Sequence, residues 1–175
     1  THNLMNALMA LAMAKTYGVA TDDIRKALAS FKGIRRRFSF QIKTDDLVFI
    51  DDYAHHPTEI NAVHQAVREL YPNQKVLAIF QPHLFSRTKD FADGFAQSLS
   101  AFDEVILLDI YPARELPMEG ITSQWLMEKM TNPNVKLVSK TDLISNILKS
   151  EARVIVTIGA GDIGELVKPI KEALR

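Results

Sequence analysis

Short runs of consecutive apolar residues alternate along the chain with longer segments that have helical spacing. Runs that are apolar throughout are typical of strands buried on both faces of a parallel sheet, and helices between them cover those faces. FSFQIK at 38–43 instead alternates, as a half-buried strand does. The pattern predicts an α/β fold with a mostly parallel sheet and helices on both faces. The buried strands are predicted at 47–50, 75–80, 104–109, 135–138 and 153–158.

The chain opens on a segment that is apolar almost all round. Ala, Leu and Met fill nearly every position from Leu4 to Ala14, which predicts a helix that needs burial on more than one side. We interpret residues 1–18 as the last helix of a larger domain. A short amphipathic helix is predicted to follow, with Thr21 as its N-cap.

Composition narrows the class of protein. Among 175 residues, Lys plus Arg and Asp plus Glu both total 21, so no overall basic charge would recruit nucleic acid or an anionic membrane. The sequence has no cysteine and no apolar run of the roughly 18 residues that a membrane helix needs. We therefore expect a cytoplasmic protein with neither nucleic acid nor membrane as a partner.

Polar residues collect where the predicted strands end. The segments are DDYAHHPTEI at 51–60, QPHLFSRT at 81–88, IYPARE at 110–115 and GAGDIG at 159–164. QPHLFSRT is predicted to be a loop. In open parallel sheets, ligands bind beyond the carboxyl ends of the strands. These segments are therefore predicted to line a functional edge.

GAGDIG matches a dinucleotide-binding motif only in part. That motif also needs a further strand with an acidic residue about 20 positions on, and the sequence printed here stops at Arg175. We predict a tight turn with close helix packing, without a nicotinamide site.

The acids and histidines of 51–56 admit two interpretations. Adjacent residues of an extended segment point to opposite sides, which disfavours a shared metal ion, so no metal site is predicted. Either Asp52 or His56 could instead cap the helix that starts near Pro57. His64 is expected at the surface, while His83 is left open between a site and a structural role.

Six segments together resemble one family. THNLMNA, FKGIRRRF, DDYAHHPTEI, FQPHLFSRT, YPARELP and GAGDIG occur in the order found in the Mur ligases of peptidoglycan synthesis. Within that family, DDYAHHPTEI with FQPH-x-x-SRT is most similar to the enzymes that join L-alanine to UDP-N-acetylmuramate. Enzymes that attach a murein peptide to UDP-N-acetylmuramate are the alternative, and a stand-alone Rossmann-like nucleotide-binding module is the non-enzymatic one.

The resemblance implies a three-domain, ATP-dependent ligase with Mg²⁺. Residues 1–18 would end the central ATPase domain, and 19–175 would form a Rossmann-like C-terminal domain. The family's phosphate loop is not in the printed sequence, and its magnesium ligands are expected in the central domain. The chain alone is therefore expected to be inactive. The implied reaction activates the muramate carboxylate as an acyl phosphate, which the amine of L-alanine then attacks.

The resemblance also implies roles for individual residues. His2, Asn3, Asn6, Arg37 and Asp52 match nucleotide-binding positions, although the two asparagines could instead serve helix packing.

Four further residues match positions around the incoming amino acid, and Asp52 and His55 are the catalytic candidates. Leu84 stands where the family often has a second arginine. Arg87 would then be the main anchor for the alanine carboxylate, unless it merely pairs with Asp90. The four substrate-binding candidates are Tyr53, His55, His83 and Arg87.

Overall fold

A computed structural model describes residues 2–175, with side chains from Leu4 onward. The chain divides into two compact units, Thr1–Ile34 and Arg35–Arg175. Each unit is described by itself.

The first unit consists of helices α1 (His2–Thr16) and α2 (Thr21–Ser30). Met9 and Met13 on α1 are each 61% exposed, so much of its apolar surface faces outward. Helix α2 begins at Thr21 itself, and its N-cap is Ala20, whose side chain makes no capping bond. The prediction of Thr21 as N-cap is therefore wrong by one position, because Ala20 already has the extended dihedral angles of a cap.

The second unit is a six-stranded sheet in the order β1-β2-β6-β3-β4-β5. Strand β1 pairs antiparallel with β2, and every other pairing is parallel. The strands are β1 (Ser39–Lys43), β2 (Val48–Asp52), β3 (Val76–Phe80), β4 (Glu104–Leu107), β5 (Val135–Leu137) and β6 (Val154–Ile158). The helices are α3 (Pro57–Leu70), α4 (Phe85–Asp90), α5 (Ala92–Ser100), α6 (Ser123–Glu128), α7 (Leu143–Ile147) and α8 (Ile163–Ala173).

Two cores form because successive strand residues point to opposite faces of the sheet. In β3, Ala78 and Phe80 pack with α3 and α5, whereas Leu77 and Ile79 pack on the other face with α7 and α8. The predicted mostly parallel sheet with helices on both faces is confirmed, and so are all the predicted strands.

One predicted loop is partly helical. QPHLFSRT was assigned to a loop, but α4 begins within it at Phe85. His64 is also less exposed than predicted, because its ring packs against Phe102 with 4.9 Å between centroids. Across residues 2–175, no helix has the length and apolar character to cross a membrane.

Candidate active site

The polar segments meet at one edge of the sheet. Strands β2, β6, β3 and β4 run parallel, so their carboxyl ends lie side by side. The segments that follow β3 and β4 continue to pair through a bridge between His83 and Tyr111.

The four predicted substrate-binding residues form one cluster at this edge. The ring centroid of His55 lies 5.5 Å from that of Tyr53 and 6.4 Å from that of His83. Arg87 Nη1 lies 3.3 Å from His83 Nδ1. The ring of His83 also stacks on Tyr111, with 5.7 Å between centroids and 28° between planes. Tyr111 belongs to the IYPARE segment, but no local pattern gave it a role.

His83 is held in its neutral form. Burial lowers the pKa of its imidazole, and the nearby charges of Arg87 and His55 lower it further. A guanidinium can only donate, so His83 Nδ1 accepts from Arg87 and the imidazole proton is assigned to Nε2. No carboxylate of residues 2–175 lies within ion-pair distance of Arg87. The alternative pairing of Arg87 with Asp90 is therefore not formed.

His55 is fixed by its backbone neighbours. Its Nδ1 lies 3.0 Å from the carbonyl oxygen of Tyr53, and its amide donates to Glu59 Oε2 at 2.8 Å. The same carboxylate oxygen lies 3.4 Å from His55 Nδ1. Glu59 thereby anchors His55 from the first turn of α3, a role that sequence analysis missed.

The choice of cap for α3 is settled by geometry. His56 is the N-cap, and its Nδ1 accepts a hydrogen bond from the amide of Thr58 at 3.3 Å. Pro57 occupies the first helical position, where no amide donor is needed. The ring of His56 also contacts Phe91 edge-on, with 4.5 Å between centroids. His55 and His56 therefore have different neighbours and different roles.

Asp52 is buried and ties two segments together. Its Oδ2 accepts from the amide of Phe38 at 2.7 Å, and its Oδ1 accepts from the amide of Ala54 at 2.8 Å. Burial raises the pKa of this carboxyl, while the two amide bonds and the charge of Arg37 act in the opposite direction. Both oxygens are thus engaged, which gives Asp52 a positioning function between β1 and β2.

Asp51 plays a similar part on the opposite face of β2. It accepts from Arg36 Nε at 3.1 Å and from Thr157 Oγ1 at 2.9 Å. Arg36 also donates through Nη2 to the carbonyl of Gly159 at 2.6 Å. Arg36 therefore joins the β1 approach to the GAGDIG turn, a structural role that sequence analysis did not assign.

Arg37 is the exposed neighbour of this half-buried arginine. The guanidinium carbon of Arg36 lies 5.2 Å from the Tyr53 ring centroid, and that of Arg37 lies 5.9 Å from it. None of the described carboxylates is within ion-pair distance of Arg37. Its charge is available to an anionic ligand beside the cluster.

The GAGDIG segment is a tight turn packed on the end of β3. Gly159 has φ +148°, and a Cβ there would lie 2.9 Å from the carbonyl oxygen of Gln81. The buried side chain of Gln81 accepts from the amide of Ile163 at 2.9 Å and donates to Asp162 at 2.8 Å. The predicted turn with close helix packing is confirmed.

The nucleotide candidates on α1 are described only in part. The side chains of His2 and Asn3 lie outside the described residues, and Asn6 is exposed. Among described side chains, no group of three or more histidines and acids is arranged to hold a metal ion.

Comparison with known proteins places this site in a family. The family model described as "Mur ligase, glutamate ligase domain" matches residues 36–161. The chain is 78% identical over 173 residues to the UDP-N-acetylmuramate–L-alanine ligase of Flavobacterium johnsoniae, covering 99% of this chain and 38% of that protein. It is 72% identical to the ligase of the same name from Flavobacterium psychrophilum, covering 99% of this chain and 39% of that protein.

Solved structures agree with the sequence matches. The UDP-N-acetylmuramate–alanine ligase of Thermotoga maritima superposes with a TM-score of 0.78 at 27% identity, covering 99% of this chain and 37% of that one. A murein peptide ligase from Psychrobacter arcticus gives 0.69 at 26% identity, with the same two coverages. The chain spans well under half the length of these relatives. It belongs to the Mur ligase family and carries the C-terminal domain of that family's fold.

Proposed function

We propose that the chain is the C-terminal part of an ATP-dependent ligase that joins L-alanine to UDP-N-acetylmuramate in peptidoglycan synthesis. The observation that carries the proposal is the 78% identity over 99% of the chain to a protein with that name. The cluster of Tyr53, His55, His83 and Arg87 supports it from the side of geometry. The proposed partners are UDP-N-acetylmuramate, L-alanine and ATP, and the proposed location is the cytoplasm.

In this proposal, residues 1–18 end the central ATPase domain and 19–175 form the C-terminal domain. The exposed apolar side chains of α1 support a helix that packs against further protein. Helix α2 groups with α1 in the compact unit Thr1–Ile34, so the structural division lies later in the chain than the proposed one.

The cluster would receive the amino-acid substrate. L-alanine offers an amine, a methyl group and a carboxylate, and a planar guanidinium binds a carboxylate through two parallel hydrogen bonds. Arg87 has no competing carboxylate among residues 2–175, so its charge is free for this task. Nε2 of the anchored His55 can accept a hydrogen bond from the amine and orient it, while the Nε2–H of neutral His83 can donate to the alanine carboxylate.

The chemistry would proceed through an acyl phosphate. The muramate carboxylate attacks the γ-phosphorus of ATP, and ADP leaves. The amine of L-alanine then attacks the acyl carbon, the tetrahedral intermediate collapses, and inorganic phosphate leaves with the electron pair of the broken C–O bond. The amine loses one proton in this step, and the departing phosphate takes it up. Closure of the C-terminal domain would exclude water, which would otherwise hydrolyse the acyl phosphate.

Arg37 and Asp52 are proposed on the nucleotide side, together with His2, Asn3 and Asn6 of α1. Exposed Arg37 can contact phosphate or ribose oxygens directly. Asp52 would act indirectly, because its carboxylate already holds the backbone on either side.

The described residues do not fit a Mg²⁺ site. The adjacent acids at the end of β2 are already occupied: Asp51 accepts from Arg36, and Asp52 accepts from two backbone amides. The magnesium ligands are accordingly proposed for a part of the ligase outside this chain.

The test is phosphate release by the full-length ligase with ATP and UDP-N-acetylmuramate. The proposal expects release that depends on L-alanine, and no stimulation when a murein peptide replaces it. Stimulation by the murein peptide alone would favour the murein-peptide ligase activity instead. No release with either would leave the binding-module interpretation.

A further inference from the structure

The turn that carries His83 and Arg87 has an unfavourable backbone conformation. Leu84, between β3 and α4, has φ +71° and ψ +135°, a region that favours glycine. Leu84 is also the N-cap of α4, and its side chain cannot accept a hydrogen bond. The start of α4 therefore depends on contacts from elsewhere in the fold.

Glu115 supplies that contact from the loop after β4. Its carboxylate accepts from the amide of Ser86 at 3.0 Å and from Ser86 Oγ. Ser86 is the second residue of α4, where the backbone amide has no partner within the helix. The hydrogen bonds from the side chain and backbone of Ser86 lower the pKa of the Glu115 carboxyl. The Glu115 carboxylate is thus ionised at neutral pH.

The same two loops are joined at a second point. The amide of Leu84 donates to the carbonyl of Tyr111 at 2.9 Å, and the amide of Tyr111 donates to the carbonyl of Pro82 at 2.8 Å. The ring of Tyr111 stacks on His83. The strained turn is therefore pinned on both sides, at Tyr111 before it and at Glu115 after it.

The pinned segment determines where the substrate-binding side chains point. The Leu84 carbonyl accepts from the amide and the hydroxyl of Thr88, at 3.1 and 2.7 Å, which closes the first turn of α4. Arg87 lies on this turn, and its guanidinium reaches back to His83 Nδ1. A change in the angle of α4 would separate the two side chains.

We propose that Glu115 is a positioning residue of the amino-acid site. It substitutes for the missing cap of α4, holds the strained turn at Leu84, and so keeps Arg87 beside His83. This inference rests on the proposed function, in which these two side chains bind L-alanine.

Steady-state kinetics of the full-length ligase test the inference. Glu115→Ala is expected to raise KM for L-alanine by roughly five- to tenfold, the scale of one ordinary hydrogen bond lost near the surface. KM for ATP should stay near its wild-type value. Glu115→Gln keeps an oxygen that can accept from Ser86, and should restore most of the lost affinity.

Glu119→Ala is the matched control. Glu119 is an exposed acid of the same loop with no ion pair to any described residue, and its removal should leave both KM values unchanged. A wild-type alanine KM in Glu115→Ala would overturn the inference. Equal losses for both substrates would also overturn it, because they indicate a general structural role.

Crystal structures of wild type and Glu115→Ala separate this inference from the proposed function. The contact between Arg87 and His83 should be lost in the variant, whatever reaction the ligase performs. An unchanged contact refutes the positioning role. Absence of alanine-dependent phosphate release from the wild type would refute the proposed function alone.

Discussion

His83 and Arg87 divide two tasks within the strand-end cluster. Burial and the neighbouring charges keep His83 neutral, so its Nδ1 can accept from Arg87 while its Nε2–H remains a donor. Arg87 presents the planar set of donors of a guanidinium. A carboxylate that enters the cluster therefore has one strong partner in Arg87.

Replacement of Arg87 by lysine should expose this dependence. Lysine preserves the charge but cannot form two parallel bonds to a carboxylate, so KM for L-alanine should rise at least about tenfold. KM for ATP should change little. Steady-state kinetics of the full-length ligase, with each substrate varied in turn, provide the measurement. Arg153→Lys, just before β6 and so at the amino ends of the parallel strands, is the control. An alanine KM unaffected by Arg87→Lys would exclude Arg87 from the site.

Asp52→Asn and Arg37→Ala should behave differently from each other. An asparagine at 52 offers one acceptor where two amides now donate, so it should cost about 1–3 kcal/mol of stability as well as ATP-dependent activity. Arg37→Ala should lower kcat/KM for ATP by about 1.5–3 kcal/mol with little loss of stability, since Arg37 is exposed. Urea unfolding and ATP kinetics on both variants decide. Normal stability in Asp52→Asn would contradict the positioning function.

The sequence was informative about which residues meet and less so about how they point. Parallel strand ends must share an edge, so Tyr53, His55, His83 and Arg87 could be expected together. Tyr111 and Glu115 were missed because their partners depend on β4 lying next to β3, which no local pattern specifies. The inward orientation of Asp52 follows from the approach of Phe38, a contact 14 positions away along the chain.

At the scale of elements, helix α3 fixes the direction in which the chain leaves β2. His56 caps it, and Glu59 in its first turn holds the amide of His55. The cluster residues Tyr53 and His55 therefore lie between the end of β2 and this cap.

Substitution of His56 tests its role as the N-cap of α3. His56→Ala removes the acceptor for the Thr58 amide and the contact with Phe91, and should destabilise the fold by about 1 kcal/mol or somewhat more. His56→Asn keeps a good capping side chain and should recover part of that loss. Urea unfolding followed by the fluorescence of Trp125 reports both. Equal stability of the two variants would argue against the capping role of His56.

Elements with a clear hydrophobic pattern were predictable, and the short helix α4 was not. Five strands follow from mostly apolar runs, and β1 follows from an alternating pattern. Helix α4 was not predicted, because it has only six residues and begins without a capping side chain. Neither helical periodicity nor a start signal therefore marks it in the sequence. The antiparallel edge position of β1 was not predicted either, since strand order depends on long-range pairing.

At the scale of the whole molecule, two histidines couple stability to pH. Burial, followed by the charge of Arg68, lowers the pKa of His64 below 6.5, and the pKa of His83 is lowered as well. The unfolded chain then binds more protons than the folded one between each folded pKa and 6.5. Stability is therefore greatest above about pH 6.5 and falls as the pH drops through that window. The raised pKa of Asp52 has the opposite effect in the acidic window just above 3.8.

Urea unfolding at about pH 7.5 and about pH 5.5 should show this loss. In a variant with both His64→Gln and His83→Gln, the difference between the two pH values should shrink. A wild-type chain that is as stable at the lower pH would contradict the assigned neutral state of these rings. An unchanged difference in the variant would assign the effect to other groups.

A crystal structure of the full-length ligase with UDP-N-acetylmuramoyl-L-alanine bound is the most direct test of the central claim, that the strand-end cluster binds the amino acid. The account predicts that the alanine carboxylate lies against the guanidinium of Arg87, with His83 and Tyr53 lining the same space. A product whose alanine carboxylate is bound by other residues, with Arg87 facing solvent, would contradict it.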